Sequence, residues 1–293
     1  MRITDGTRSR ELLANLGRSR SALDRAQMEV SSGLRVRRAS DDPGAALGVL
    51  KLAGSATATG QHRRNIDAAM SRVASEENVL DQLSDLLSRA RELGVSQGTD
   101  TASAATRAQT RVEVDKLREF AVQLGNTRGP DGYLFGGYRS DQRPFDPADP
   151  LASTVGAGEQ LRVEISPGQQ VETVHNGREV FLDTGALAAL GDLAAALGAD
   201  DAEGVRPATG ALQEAFDAVQ EKLAETGSRY GQLGLTAARL GTLEQTTAAH
   251  RASLEEADME ETLVALAARQ SALQATMLST SRILGMTLSE YLR

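Results

Sequence analysis

Three histidines, His62, His175 and His250, are the side chains best matched to proton transfer near neutral pH, and cysteine does not occur at all. The histidines lie far apart, with no His-x-x-x-His pair and no serine in a nucleophile elbow. Each is therefore expected on the surface rather than as a ligand or a base. The acidic pairs Glu255-Glu256 and Glu260-Glu261 fall between apolar helix positions, where solvated charge is expected. The glycine-rich run from Asn126 to Tyr138 contains no Gly-Lys-Ser/Thr and misses the dinucleotide spacing. Its Asp131-Gly132 also fails the calcium-loop spacing. These residues nominate no catalytic acid or base, no metal site and no cofactor, so no enzyme is expected.

The remaining chemistry is structural. In Ser40-Asp41-Asp42-Pro43, Asp42 suits an N-cap and Pro43 suits the first helical position, so a helix starts here. Gly33 ends the helix before it, and Arg35, Arg37 and Arg38 lie between the two. A bidentate pairing of Arg35 with an aspartate could set the angle between the helices. The alternative is solvated charge, which contributes little when exposed. In the glycine-rich run, Gly132, Tyr133, Phe135, Gly136 and Gly137 read as a tight turn followed by an aromatic strand, the glycines allowing close packing.

Long helices must position these motifs. Five of the seven prolines fall between 130 and 167, which leaves both flanks free to be helical. Leu212, Phe216, Val219, Leu223, Thr226, Tyr230, Leu233, Ala237 and Leu240 alternate steps of four and three, a coiled-coil seam. After a polar interval the step resumes at Met259, Leu263, Leu266, Leu273, Met277 and Leu284, with Leu288 beyond. Upstream, Leu16, Leu23 and Val30 lie seven apart, as do Ile66, Val73, Leu80 and Leu87. Stripes on one helix face need partner helices, so the two halves of the chain are expected to pack together.

The middle reads as strand. Leu161, Val163 and Ile165 alternate with polar residues, Ser166-Pro167-Gly168 turns the chain, and Val171 to Val174 returns. Asn176-Gly177 before Val180-Phe181-Leu182 reads as a further hairpin. Residues 186–197 suggest a short helix leading back. The expected fold is mainly α: a long-helix coiled-coil bundle formed by the N- and C-terminal segments, with a small β-rich domain inserted in the middle. The expected parts are terminal assembly segments 1–40 and 255–293, a bundle 41–138 and 184–254, and an outer insertion 139–183.

Composition narrows the classes further. The 293 residues are 40% hydrophobic and 25% charged but only 3% aromatic, which suits Leu/Ala helix packing better than a ligand pocket. The formal charge of -8 is carried by residues 139–205, and it argues against nucleic acid as a partner. No run approaches the roughly 18 apolar residues of a membrane span, so no membrane partner is expected. Met1 to Arg8 lacks the apolar core of a cleaved signal peptide.

Ser31-Ser32-Gly33-Leu34-Arg35-Val36 followed by Ser40-Asp41-Asp42-Pro43 resembles the N-terminal signature of the flagellin superfamily, and its Asp-Asp-Pro is more like the hook-associated members than the filament flagellins. Gly132 to Tyr138, with Pro144-Phe145 beyond, is similar to the segment entering the outer domain of the hook-filament junction members. The stretch from Asp258-Met259 through Leu263, Gln270, Leu273, Leu284, Leu288 and Tyr291-Leu292 is similar to their C-terminus.

The resemblance implies an extracellular structural subunit of the bacterial flagellum, exported unfolded by the flagellar type III apparatus without a cleaved signal. Its implied partners are copies of itself in a ring, hook-associated protein 1, flagellin and an export chaperone. Leu16, Leu23, Val30, Leu263, Leu266, Leu273, Met277, Leu284 and Leu288 would then form the subunit-assembly seam. Two other readings stay open: a short filament-forming flagellin and, more remotely, a cytoplasmic signalling coiled coil.

Overall fold

The computed structural model describes residues 2–99, 102–129, 131–156 and 159–291; the side chains of residues 2–6, 8, 9 and 283–291 lie outside this description. It is mainly helical: α1 (Arg2–Ser32), α2 (Pro43–Gln97), α3 (Ala104–Gly125), α4 (Ala186–Gly198), α5 (Ala202–Glu255) and α6 (Met259–Tyr291). Between α3 and α4 lie two small antiparallel pairs, β1 (Arg128–Gly129) with β2 (Gly132–Tyr133), and β3 (Arg162–Ser166) with β4 (Gln169–Glu172). The expected class, a long-helix bundle with a small β-rich insertion, is the one observed. The chain forms two compact units, residues 1–57 with 244–293 and residues 58–243, and α2 and α5 supply residues to both.

In the first unit α1 packs against α6. Leu12, Asn15 and Ser19 line one cavity with Thr276, Ser279 and Thr280, while Gly33 O accepts from Ala257 N at 2.9 Å, so the two helices run antiparallel. Asp258 starts α6 by accepting from the amides of Glu260 (2.9 Å) and Glu261 (3.2 Å), an N-cap. Among the described residues of this unit, the only buried apolar side chains are Ala26, Val36 and Ala45.

The second unit has the core that the first lacks. Ile66, Val73, Leu80 and Leu87 on α2, and Leu212, Val219, Thr226, Leu233 and Leu240 on α5, keep their seven-residue spacing as buried faces. The main cluster joins these helices to α3, to the leucines of α4 and to Phe135, Phe145 and Phe181. A smaller cluster seats Ile165 of β3 among Ile66, Ala69, Val73, Leu233 and Leu240. The hairpin therefore rests on helices rather than standing free of them.

Three local expectations are corrected. Val180-Phe181-Leu182 is no strand. Asn176 Oδ1 instead accepts from Glu179 N at 3.0 Å, and residues Arg178–Leu182 form one π-helical turn that buries Val180 and Phe181. The aromatic strand after Gly132 stops at Tyr133, because Gly137 adopts φ +58° and turns the chain. Arg178–Gly198 is by length and composition apolar enough to cross a membrane, where no such run was expected, and half of its apolar stretch is buried in the protein.

Candidate assembly surface

The connection from α1 to α2 is built from backbone and carboxylates. Gly33, at φ +69°, takes the left-handed conformation that stops α1. The amides of Arg35 and Val36 then donate to Glu255 O at 2.8 and 3.3 Å, tying the connection to the end of α5. Asp41 Oδ2 accepts from the amides of Arg37 (3.2 Å) and Arg38 (2.9 Å), which closes the turn, and Ser40 sits exposed beside it.

Asp42 works in two directions. Its Oδ1 accepts from Ala45 N at 2.9 Å, capping α2 in front of Pro43, while Oδ2 meets Arg35 Nη1 at 3.2 Å. Arg35 Nη2 also donates to Leu254 O at 2.9 Å. One guanidinium thus links the start of α2 to the end of α5 through a single carboxylate and a carbonyl. The Ala45 amide and the Arg35 guanidinium hold the Asp42 carboxyl below its ordinary value.

A carboxylate depressed in the folded chain contributes stability that is present above its unfolded value and is lost as pH falls through its folded value. Asp42→Ala is therefore expected to lower the melting temperature near neutral pH, and the difference from the unmutated protein should close in acid, below the ordinary aspartate value of about 3.9. Thermal unfolding of both proteins at the two pH values decides this. An equal difference at both would mean that the charge does not hold the turn.

On the α1–α6 pair, Leu16, Leu23, Val30, Leu266 and Leu273 are half-buried, while Leu263 and Met277 are 51% and 53% exposed. Leu284 and Leu288 lie outside the described side chains. Leu13, Met28, Met259, Val264 and Leu278 add exposed apolar surface, and Leu47 and Leu50 do so on α2. A groove of about 660 Å³ lies beside the connection, lined by Leu34, Val36, Arg37, Arg38, Leu47 and Leu50 among others.

The aromatic turn belongs to the second unit. Tyr133 N donates to Ser140 O at 2.7 Å, and Gly177 N donates to Phe135 O at 3.0 Å. A Cβ at Gly137 would collide with the carbonyl oxygen of Glu159, and one at Gly132 with that of Ser140, so both positions need glycine. The Tyr133 ring lies under the Arg128 guanidinium at 4.7 Å. Hydrogen bonds from Arg128 and Arg143 hold its hydroxyl below the ordinary tyrosine value. Gly136 is buried in the same turn.

The three parts of the predicted site are thus a connection and a helix pair in the first unit and a turn in the second. The largest departure from the sequence reading is His175, which was expected on the surface. It is 1% exposed, with Glu76 Oε1 at 2.8 Å from Nδ1 and Glu225 Oε2 at 2.7 Å from Nε2. Glu76 and Glu225 are 99 and 50 positions from it, so no motif search over neighbouring residues would have found the trio. Among the described residues no group of three or more His, Asp and Glu is arranged to hold a metal ion.

Residues 5–139 match the family described as the bacterial flagellin N-terminal helical region. The chain is 29% identical over 154 residues to the flagellar hook-associated protein 3 of Escherichia coli, which covers 52% of this chain and 48% of that protein. It thus spans about half the length of this relative. It is 25% identical over 253 residues to the flagellar filament core protein flaB2 of Brachyspira hyodysenteriae, covering 85% and 84%. A solved structure described as a putative flagellar hook-associated protein from Vibrio parahaemolyticus superposes with a TM-score of 0.66 at 20% identity, covering 74% of this chain and all of that one. At that identity the superposition speaks to the fold. These relatives are named as flagellar proteins, and residues 5–139 of this chain are similar to the N-terminal helical region of bacterial flagellins.

Proposed function

We propose that the chain is a structural adaptor of the bacterial flagellum, a ring of identical subunits between hook-associated protein 1 at the hook and the flagellin filament. It acts by matching the geometry of two polymers and carries out no catalysis. The observation that carries this reading is the first unit's lack of a core. Among the described residues, the two long helices and the segments around them bury only three small apolar side chains, and leave Leu13, Leu263, Val264, Met277 and Leu278 in solvent. Buried apolar surface is worth about 25 cal/mol per Å², so surface of this kind calls for neighbouring subunits.

On this reading, segments 1–40 and 255–293 are the assembly parts, 41–138 and 184–254 the bundle, and 139–183 the insertion. The chain reaches the outside of the cell through the flagellar export apparatus with a chaperone covering its ends. Its Asp41-Asp42-Pro43 signature and its similarity to hook-associated protein 3 support the junction role. The nearly full-length similarity to a filament core protein favours the second reading, a short flagellin.

The purified protein separates the two. A junction subunit is expected to stay short of filaments on its own and to label a single point at the hook end of isolated flagella. Long filaments from the pure protein, or antibody label along the whole filament, would refute the adaptor role.

A further inference from the structure

We propose that Glu76, His175 and Glu225 form a proton-keyed clasp that holds the β3–β4 hairpin on the helices of its unit and releases it when the trio gives up a proton. The geometry sets the proton count. Both ring nitrogens of His175 face carboxylate oxygens, Nδ1 towards Glu76 and Nε2 towards Glu225. A neutral imidazole has one N–H and one lone pair, so it satisfies only one of two ionised carboxylates. The closed arrangement needs one proton more than a neutral ring and two carboxylates hold. A protonated ring donates from both nitrogens and so can satisfy both carboxylates.

Burial makes the count matter. Glu76 is fully buried, its Oε1 accepts from the His175 amide at 2.8 Å as well as meeting the ring, and its Oε2 has no hydrogen-bond partner among the described residues. A buried carboxylate depends on such partners, because no water compensates it. Glu225 is half-exposed and is backed by Lys222 Nζ at 3.0 Å. Burial raises its carboxyl, but the hydrogen bonds from His175 and Lys222 outweigh that and hold it below the ordinary value.

The other charged groups nearby are engaged elsewhere. On β4, Glu172 faces Arg162 at 2.7 Å and Arg229 of α5 at 4.0 Å, and Glu179 accepts from Gln160 and Asn176. One turn before Glu76 on α2, Arg72 pairs with Asp131 at 3.3 Å.

His175 is well placed to act on the hairpin. Thr173, two residues ahead, donates its amide to Leu161 O at 3.0 Å, which closes the base of the hairpin, and Val174 is buried. The remaining anchors are Asn65 Nδ2 to Glu164 O at 2.8 Å and the burial of Ile165 among helix side chains. With the clasp open, Ile165 and Val171 become available to another surface.

The closed state binds the extra proton, so its advantage is present at lower pH and is lost as pH rises. In acid the depressed Glu225 carboxyl eventually protonates and that contact weakens in turn. The test is amide exchange on the full chain over roughly pH 6 to 9, the span around the ordinary histidine value, corrected for the intrinsic pH dependence of exchange. Protection at Val163, Ile165 and Val171 is expected to fall with rising pH by up to about tenfold per unit while the closed state alone holds the proton, and then to level off, while core amides such as Leu87 and Leu190 hold constant. His175→Gln keeps one donor and one acceptor but takes no proton, and its hairpin protection should not vary with pH. Hairpin protection that is flat across this range, or an equal slope in His175→Gln, overturns the clasp. Should that variant fail to fold, the ring 15N signals of His175 in the unmutated protein decide. Their titration must track the loss of hairpin protection, and titration with the hairpin unaffected rejects the proposal.

Discussion

Phe181→Ala is expected to cost roughly 3 to 5 kcal/mol of stability, the range for truncating a fully buried phenylalanine. Phe181 has no exposed surface and meets both Phe135 and Phe145 edge to face at 5.4 Å. Around these rings the chain packs at its tightest: a Cβ at Gly125 would fall 2.7 Å from the Phe145 ring, and one at Gly177 would fall 2.9 Å from it. With so little slack the cavity left by Phe181 cannot collapse, which places the cost towards the upper part of that range. Domains of this kind hold about 5 to 15 kcal/mol in all, so the loss is a large share of the whole. The check is urea unfolding of the full chain beside Tyr138→Ala, whose ring is 62% exposed and whose change should stay within about 0.5 kcal/mol. A cost below about 1 kcal/mol at Phe181 would show that the three rings do not form a packed core.

That aromatic cluster also marks where the sequence stops being readable. The seven-residue repeats of Ile66 to Leu87 and Leu212 to Leu240 could be read because helix burial repeats along the chain; those positions are buried, while the alternate seam positions Phe216, Leu223 and Ala237 are half-buried and Tyr230 is 41% exposed. Ser166-Pro167-Gly168 could be read because Gly168, at φ +73°, does the turning locally. Asp42-Pro43 was legible for the same reason, since the cap acts on an amide three residues away. Asn176-Gly177 misled because the usual hairpin signal competes with side-chain capping, and the burial of Val180 and Phe181 decided the contest from outside the segment. His175 was invisible for a stronger reason. Its environment is made by one residue on α2 and one on α5, neither of them within reach of any local pattern.

In the soluble monomer, residues 2–32 and 259–291 are expected to exchange their amides at close to unfolded rates, while 66–90 and 212–240 stay protected. The contrast follows from what each part buries. Ordering the backbone costs about 1 to 2 kcal/mol per residue, and a fully buried leucine returns roughly 1.5 to 3. Along α2 and α5 in the second unit, side chain after side chain at the heptad positions is fully buried. On α1 and α6, Leu16, Leu23, Val30, Leu266 and Leu273 are only half-buried, Leu263 and Met277 are about half in solvent, and the buried residues among those described are small ones, Ala26, Thr262 and Thr280. On the proposed reading, the α1–α6 pair is the conformation the ends adopt on assembly, and neighbouring subunits supply the free energy to hold it. On assembly the same amides should become protected together, since each helix supplies the other's missing surface only when both are covered. Deleting residues 259–293 should abolish incorporation into flagella and leave the exchange pattern of 66–90 unchanged. Strong protection of both ends in a verified monomer would show that the pair folds alone, and the assembly-coupled ordering would then have to be abandoned.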